Sequence, residues 1–294
     1  MTLSVVVPAY NEYGEGGAKN RIKPMLDEML AALAALEASE RAAKRAPFTW
    51  EILVVDDGSR DDTAGFVNRA YTAKLGAERV RVLRLFRNNG KGGAVRKGMA
   101  RARGEYLLMA DADGATRAAD LATLLEKLRG AKNAAGDGIA IGSRAHLEAA
   151  EEGGARASRS PLRKLLMWGF HTLIEVMIGT SEIKDTQCGF KLFTRATARR
   201  LFPVQHIDRW AFDVELIFLA ARFRVPMVEV PVNWQEIDGS KLDVLTSTIQ
   251  MARDIVAIRV CYMLGLWTDA PPAQPPAPLA AAVDAAAHVQ PKSA

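Results

Sequence analysis

The sequence predicts an α/β protein with a mostly parallel, doubly wound central sheet and flanking helices. Short apolar runs recur at residues 3–7, 51–55, 80–85, 106–110 and 138–141, and helical spacing separates most of them, at 24–38, 63–74, 93–103 and 118–129. Strands that alternate with helices indicate parallel crossover connections. The chain has 294 residues, 49% of them hydrophobic and 25% charged, which is enough to bury a full core in an ordinary globular balance.

The second half has a different character. Residues 144–160 show little periodicity and are interpreted as a mobile loop. Two apolar helices are predicted at 162–178 and 244–267, and from residue 269 proline and alanine dominate without pattern. We therefore expect one domain over 1–267, in which 244–267 is a membrane-proximal helix, and a disordered tail over 268–294.

Charge and cysteine content exclude several classes of protein. The net charge of +5 suits an anionic substrate or an anionic membrane surface, and no basic helix with stacking aromatics indicates nucleic acid. Cys188 and Cys261 have no metal-ligand spacing and predict no disulfide framework. We expect neither a signal peptide nor a transmembrane span, because no stretch reaches about 18 apolar residues.

Each of the first four predicted strands ends in a polar cluster. The carboxyl ends of parallel strands meet at one edge of the sheet, where ligands bind in open α/β folds. Four clusters on that edge predict a site. Its candidate residues are Pro8, Tyr10, Glu12, Asp56, Asp57, Lys91, Gly92, Asp111 and Asp113.

The pair Asp111 and Asp113 directly follows the fourth strand. Two crowded carboxylates favour a divalent cation, Mg²⁺ or Mn²⁺, that also takes oxygens from a diphosphate. The alternative is a solvated turn in which Asp113 or Thr116 caps the next helix. The three neighbouring clusters favour the metal.

The other clusters indicate a nucleotide. Asp56 or Asp57 can accept hydrogen bonds from a base or a ribose, and the glycines around Lys91 permit close approach of a phosphate to a helix N-terminus. The loop lacks the spacing of an ATPase loop, and no dinucleotide fingerprint follows the first strand. Together the clusters predict a site for a nucleotide-diphosphate donor.

Several motifs carry a family resemblance. Residues 5–12 (VVVPAYNE), 55–59 (VDDGS), 89–96 (NGKGGAVR) and 111–116 (DADGAT) resemble the family 2 glycosyltransferases of the GT-A, Rossmann-like, nucleotide-diphospho-sugar transferase fold. The match continues through 142–144, 185–191, 210–215, 232–234, 239–241 and the helix 255–267. Within that family the likeness is to the enzymes that glucosylate dolichyl phosphate.

The resemblance implies the roles of individual residues. A UDP-glucose donor would bind in the half formed by 1–143, with Mg²⁺ or Mn²⁺ on Asp111 and Asp113, and dolichyl phosphate would bind in 144–243. The implied phosphate-binding residues are Arg144, Arg163, Lys191, Ser240 and Lys241, and Asp113, Arg144, Gln187 and Asp213 are the implied catalytic and positioning residues. Cys188 is interpreted as a packed thiol. The implied location is the cytosolic face of the endoplasmic reticulum membrane.

Three alternatives stay open at this point. A synthase that uses GDP-mannose is similar, but such enzymes carry a glutamine where this chain has Ala115. A nucleotidyltransferase would need a glycine-rich basic loop after the first strand, and a non-catalytic relative would lack the acid pair or Lys241. The related glucosyltransferases usually begin with a transmembrane helix, and none is found before Leu3.

Overall fold

A computed structural model describes residues 1–14, 20–147, 183–237 and 244–269, without the side chains of 244–249. Its described strands form one seven-stranded sheet in the order β3-β2-β1-β4-β6-β5-β7. The strands are β1 (Leu3–Ala9), β2 (Trp50–Asp56), β3 (Val80–Arg84), β4 (Tyr106–Met109), β5 (Ile139–Ser143), β6 (Lys191–Thr194) and β7 (Met227–Pro231).

The described helices flank this sheet. They are α1 (Ile22–Ala42), α2 (Thr63–Val67), α3 (Ala73–Leu75), α4 (Lys91–Met99), α5 (Leu121–Ala131), α6 (Arg195–Leu201), α7 (Phe212–Arg222) and α8 (Val244–Met263). A π-helical turn, Asn68–Thr72, joins α2 to α3, and 3₁₀ turns occupy Ala118–Asp120 and Phe202–Val204.

The five strands predicted from the sequence are confirmed, and all run in one direction. β1 pairs in parallel with β2 and β4, and β2 pairs in parallel with β3. Two strands were not predicted. β7 is parallel to β5, whereas β6 runs antiparallel to both β4 and β5 and lies between them. The sheet is therefore mostly parallel, and residues from both halves of the chain build its centre.

Side-chain alternation in β1 divides the core between two layers. Val5 and Val7 face the layer that contains α1 and α5, and Val6 faces the layer that contains α4, α7 and α8. Because both faces are covered, the central strands read as continuous apolar runs, which is why the sequence pattern identified them.

The late helix predicted at 244–267 is present as α8 and a following turn. The helix predicted at 162–178 and the tail from residue 270 lie outside the described residues, as does most of the predicted loop at 144–160. Within the described parts of the chain, no helix combines the length and apolarity that crossing a membrane requires.

Glu51 on β2 joins three elements from a fully buried position. Its carboxylate accepts hydrogen bonds from Ser4 Oγ at 2.6 Å, Arg81 Nε at 3.0 Å and Arg103 Nε at 2.9 Å, besides the Arg103 backbone N–H at 2.7 Å. Burial opposes ionisation, but the Ser4 hydroxyl, the Arg81 guanidinium and the Arg103 backbone N–H outweigh it and lower the pKa of Glu51. This carboxylate therefore stabilises the fold while it is ionised.

We expect Glu51→Gln to lower the free energy of unfolding at pH 7 by about 3 kcal/mol, because it leaves buried donors facing an amide. The folded-state pKa lies below the usual 4.5, so this stabilisation is present above pH 4.5 and is lost as the pH falls through the folded-state value. Urea unfolding at several pH values measures it. Glu78→Gln, at an exposed partner of Arg103, is the control, and an equal effect of both variants would contradict the prediction.

Candidate active site

Asp111 and Asp113 lie at the carboxyl edge of the sheet, directly after β4. Lys91, the first residue of α4, places its Nζ 2.6 Å from Asp111 Oδ1. Asp113 Oδ1 accepts the Ala115 backbone N–H at 3.0 Å, which closes a turn within the motif itself. The following 3₁₀ turn has Arg117 at its N-cap and no capping side-chain bond. The alternative in which Asp113 or Thr116 caps the helix is therefore wrong.

The segment before β6 forms the opposite wall of the site. A Cβ atom on Gly189 would lie 2.1 Å from Asp111 Oδ2, so any other residue would displace the Asp111 carboxylate from its present position. In β6 itself, Lys191 is in register with Met109 of β4 and Ile141 of β5. The antiparallel strand thus brings residues 185–191 against the acid pair.

Lys91 is held charged beside these acids. Burial alone would lower the pKa of Lys91, but the carboxylates of Asp111, Asp213 and Asp113 raise it above its usual value. The ring centroid of Trp210, a residue with 38% of its surface exposed, lies 5.8 Å from Lys91 Nζ. The edge therefore combines the negative charge of the acid pair with the positive charge of Lys91.

The structure corrects the expected role of Lys191. Its side chain is 1% exposed and donates to Asp213 Oδ1 at 2.6 Å and to the Cys188 carbonyl oxygen at 2.5 Å. Burial raises the pKa of Asp213, although Lys191 and Lys91 oppose that shift. A lysine enclosed in this way supports the wall of the site and does not present its ammonium group to an acceptor phosphate.

The glycine loop is organised by Asp57, a role that the sequence did not predict. The Asp57 carboxylate accepts the backbone N–H groups of Asn89 at 2.8 Å and Gly90 at 2.9 Å, so it holds the loop instead of offering both oxygens to a nucleotide. Burial raises the pKa of Asp57 despite these bonds. Gly92 is buried, and a Cβ there would lie 2.7 Å from the Ile207 carbonyl oxygen, so it serves close packing.

Asp56 retains an acceptor at this edge. Its Oδ1 accepts the Ser59 N–H at 2.9 Å. Its buried Oδ2 lies 3.6 Å from Arg84 Nε, and no described group donates a hydrogen bond to it. This oxygen is suited to a ligand donor such as a base N–H or a ribose hydroxyl.

The segment after β1 is tied to the segment after β2. Asn11 adopts a φ of 53°, and its side chain accepts the Arg60 N–H at 2.7 Å. In the same segment Pro8 and Tyr10 are partly buried, and Glu12 forms an ion pair with Arg21 at 2.7 Å. The first two predicted clusters therefore do meet at one place.

Arg144 follows β5 and binds Asp185 in a bidentate arrangement, through Nε at 2.7 Å and Nη2 at 2.9 Å. Although Asp185 is buried, these bonds lower its pKa. The guanidinium also lies 5.4 Å from the ring centroid of Trp234, which forms a β-bridge with Thr116. Arg144 is thus fixed in orientation near the acid-pair turn.

Two predicted residues lie beside Asp185. Gln187 Nε2 is buried and has no hydrogen-bond partner among the described residues. Cys188 is 1% exposed within the hydrophobic core, which confirms its interpretation as a packed thiol, and this burial raises the pKa of the thiol to about 11. The remaining predicted residues, Arg163, Ser240 and Lys241, lie outside the described residues.

Sequence reasoning did not assign Asp185, Gly189 or Trp210 to the site. All three stand inside motifs that carried the resemblance, at 185–191 and 210–215. Membership of these motifs was the available signal, and it did not reveal the roles because each residue acts through a contact with a residue distant in sequence.

The fold and this edge define a nucleotide-sugar-dependent transferase of the GT-A class. The sequence profile of "Glycosyl transferase family 2" matches residues 4–202, and the chain belongs to that family. It is 52% identical over 270 residues to the dolichyl-phosphate beta-glucosyltransferase of Drosophila melanogaster, covering 91% of this chain and 77% of that protein. The chain is also 48% identical over 268 residues to the enzyme of the same name from Dictyostelium discoideum. That match covers 90% of this chain and 76% of the Dictyostelium protein.

Solved structures show the same fold at low sequence identity. Glucosyl-3-phosphoglycerate synthase from Mycobacterium tuberculosis, in complex with Mn²⁺, UDP-glucose and phosphoglyceric acid, is 16% identical. The TM-score is 0.55, with 88% of this chain and 78% of that chain covered. Mannosyl-3-phosphoglycerate synthase from Rubrobacter xylanophilus gives a TM-score of 0.53 at 19% identity. That match covers 95% of this chain and 79% of the synthase.

Proposed function

We propose that this chain transfers glucose from UDP-glucose to dolichyl phosphate with inversion, giving dolichyl β-D-glucosyl phosphate for protein N-glycosylation. The observation that carries the proposal is the acid pair Asp111 and Asp113 beside Lys91, at the sheet edge of a family 2 glycosyltransferase. The names of the relatives that are 48% and 52% identical support the choice of glucose and dolichyl phosphate.

The residues at this edge fit a divalent cation. Asp111 and Asp113 supply two carboxylates, and the described residues contain no group of three or more acids, histidines or cysteines that would form a complete protein cage. A site with few protein ligands suits Mg²⁺ or Mn²⁺ held jointly with a diphosphate. When bound, the metal neutralises charge that develops on the departing UDP.

The donor is held by residues on both sides of the acid pair. We assign Asp56, with Pro8, Tyr10 and Glu12, to the uridine side, because the segments after β1 and β2 meet there. We assign Lys91 to the diphosphate, since its charge is fixed at the edge. Asp57 and Gly92 act by shaping the loop that carries Lys91.

The acceptor needs positioning more than deprotonation, because its phosphate is already anionic. A phosphate oxygen attacks C1 of glucose while the bond from C1 to the UDP oxygen breaks, so the products are the glucosyl phosphate lipid and UDP. We assign Arg144 and Gln187 to the phosphate or sugar, and Asp213 to support of this wall. On the resemblance alone, Arg163, Ser240 and Lys241 are assigned to acceptor binding.

The exposed face of α8 supports placement at a membrane surface. Apolar side chains with exposures between 36% and 70% project from the helix and its following turn, namely Val256, Val260, Met263, Leu264 and Leu266. Arg253 and Arg259 are exposed on the same helix. Such a surface fits the interfacial region of an anionic bilayer. Together with a dolichyl-phosphate acceptor, this surface supports our proposal that the protein acts at the endoplasmic reticulum membrane, with its active site toward cytosolic UDP-glucose.

Product analysis tests the proposal. The full chain is incubated with Mn²⁺ or Mg²⁺, dolichyl phosphate in liposomes, and either UDP-glucose or GDP-mannose. We expect the β-glucosyl phosphate lipid from UDP-glucose only, and no product when the metal is chelated. Product from GDP-mannose alone would overturn the assignment.

A second arm of the same assay tests the surface. Leu264→Glu/Leu266→Glu is expected to reduce transfer to acceptor in liposomes but not to a short, water-soluble polyprenyl phosphate, because only the bilayer acceptor requires docking. Leu75→Glu, at an exposed leucine of α3, is the matched control. Equal activity of all three proteins on liposomes would contradict the docking role.

A further inference from the structure

Glu215 of α7 is a fully buried carboxylate that joins α8 to the rest of the fold. It accepts the backbone N–H groups of His206 at 2.9 Å and Ile207 at 2.7 Å, and the Tyr262 hydroxyl at 3.0 Å. Trp267 stacks on the His206 ring with a centroid separation of 4.5 Å. One end of α8 is therefore bonded to the segment 205–208.

That segment is in turn bonded to the start of α4. The Asp208 carbonyl oxygen accepts the Gly93 N–H at 3.0 Å, and a Cβ on Gly90 would lie 2.5 Å from the same oxygen. Arg96 of α4 donates to the Gln205 carbonyl oxygen and to Asp208 Oδ1, both at 2.8 Å. The first turns of α4 therefore cannot shift unless residues 205–208 shift with them.

Lys91 is the residue whose position this arrangement supports, in addition to the bonds from Asp57 to the preceding loop. It begins α4, and its Nζ reaches Asp111 at 2.6 Å. We infer that Tyr262 and Glu215 are positioning residues, which hold Lys91 at the diphosphate through the segment 205–208 and make α8 part of the donor site. This rests on the proposed role of Lys91 in the proposed function, and it extends the donor site to two residues that do not touch the donor.

The number of hydrogen bonds that a substitution removes from this network predicts how strongly it weakens UDP binding. Tyr262→Phe removes the hydroxyl that Glu215 shares with the Val204 carbonyl oxygen, and it keeps the ring that packs against Phe218 and Trp267. Glu215→Gln is more severe, since the two backbone donors and the hydroxyl then face an amide that can accept through only one oxygen. Loss of one such bond weakens a coupled binding step by about fivefold.

The test is binding of UDP in the presence of Mn²⁺, measured by calorimetry on the full chain. We expect the dissociation constant to rise about fivefold in Tyr262→Phe and more in Glu215→Gln. Tyr71→Phe is the control, because that buried hydroxyl also donates to a carboxylate, Asp27, at 2.7 Å. The control is expected to lower Tm by a similar amount and to leave UDP binding unchanged.

Two results would overturn the inference: unchanged UDP affinity in both Tyr262→Phe and Glu215→Gln, or an equal loss of affinity in Tyr71→Phe. Neither depends on the acceptor or on the sugar transferred. A failure of glucose transfer in the wild-type chain would therefore contradict the proposed function and leave this measurement interpretable.

Discussion

Asp113→Asn is expected to lower metal-dependent glucosyl transfer about 10³-fold, because an amide cannot replace a carboxylate in neutralising and holding the cation. The fold should survive. In the native chain Asp113 Oδ1 accepts the Ala115 N–H, and the asparagine carbonyl oxygen retains that bond. Initial rates with UDP-glucose and dolichyl phosphate across a Mn²⁺ titration measure the loss, and Tm measures the fold.

Two further variants distinguish the loss of the metal ligand from the loss of the hydrogen bond that closes the turn. Asp113→Ala removes both the ligand and the bond to Ala115, so it should match Asp113→Asn in activity and fall below it in Tm. Asp62→Asn, at a surface acid that pairs with Arg69, should retain full activity. Wild-type activity in Asp113→Asn would refute a metal-ligand role for this residue.

Lys191→Met is expected to lower the free energy of unfolding by about 3–5 kcal/mol, which is the usual cost of leaving one partner of a buried ion pair. The methionine fills most of the lysine volume, so the cost comes from Asp213 and the Cys188 carbonyl oxygen, both of which lose their donor. Urea denaturation at pH 7 measures it.

A double-mutant cycle identifies the pair as the cause. Asp213→Asn alone should also destabilise, and the double variant Lys191→Met/Asp213→Asn should lose less than the sum of the two single changes, because it leaves no uncompensated charge. Additive effects would show that the two side chains contribute independently and would contradict the assignment of Lys191 to the wall of the site.

Four of the five strands that could be predicted, namely β1, β2, β4 and β5, are buried on both faces, and only β3 is partly exposed. β1, β2 and β4 are apolar throughout or nearly so, because a parallel sheet covered by helices demands it. β6 has only four residues and begins with a lysine, and β7 contains Glu229 and ends in proline. These two segments are strands because β6 pairs with β4 and β5 and β7 pairs with β5. The local sequence pattern does not reveal such pairing.

The sequence predicted which polar clusters meet at the candidate site. It was less successful in predicting what each residue of those clusters does. Asp111 and Asp113 could be recognised because their spacing and position after β4 are local features. Asn89, which donates to Asp57, and the carboxylates that pair with Lys191 and Arg144 lie 32, 22 and 41 residues away in the chain. Whether such a side chain faces a ligand or another residue depends on tertiary pairing, so the sequence alone assigned Lys191 to the acceptor.

The insertion of β6 between β4 and β5 has a consequence for biosynthesis. Residues 139–143 emerge from the ribosome well before 191–194, yet they share no ladder with β4 until β6 pairs with both. Until then the nascent chain carries the β3-β2-β1-β4 sheet with an open edge at β4 and an unpaired β5, both of which are sites for misassociation. Closure of that gap also brings Gly189 against Asp111. Competence to bind the metal–nucleotide donor should therefore arise in one late step of folding, after most of the domain has been synthesised.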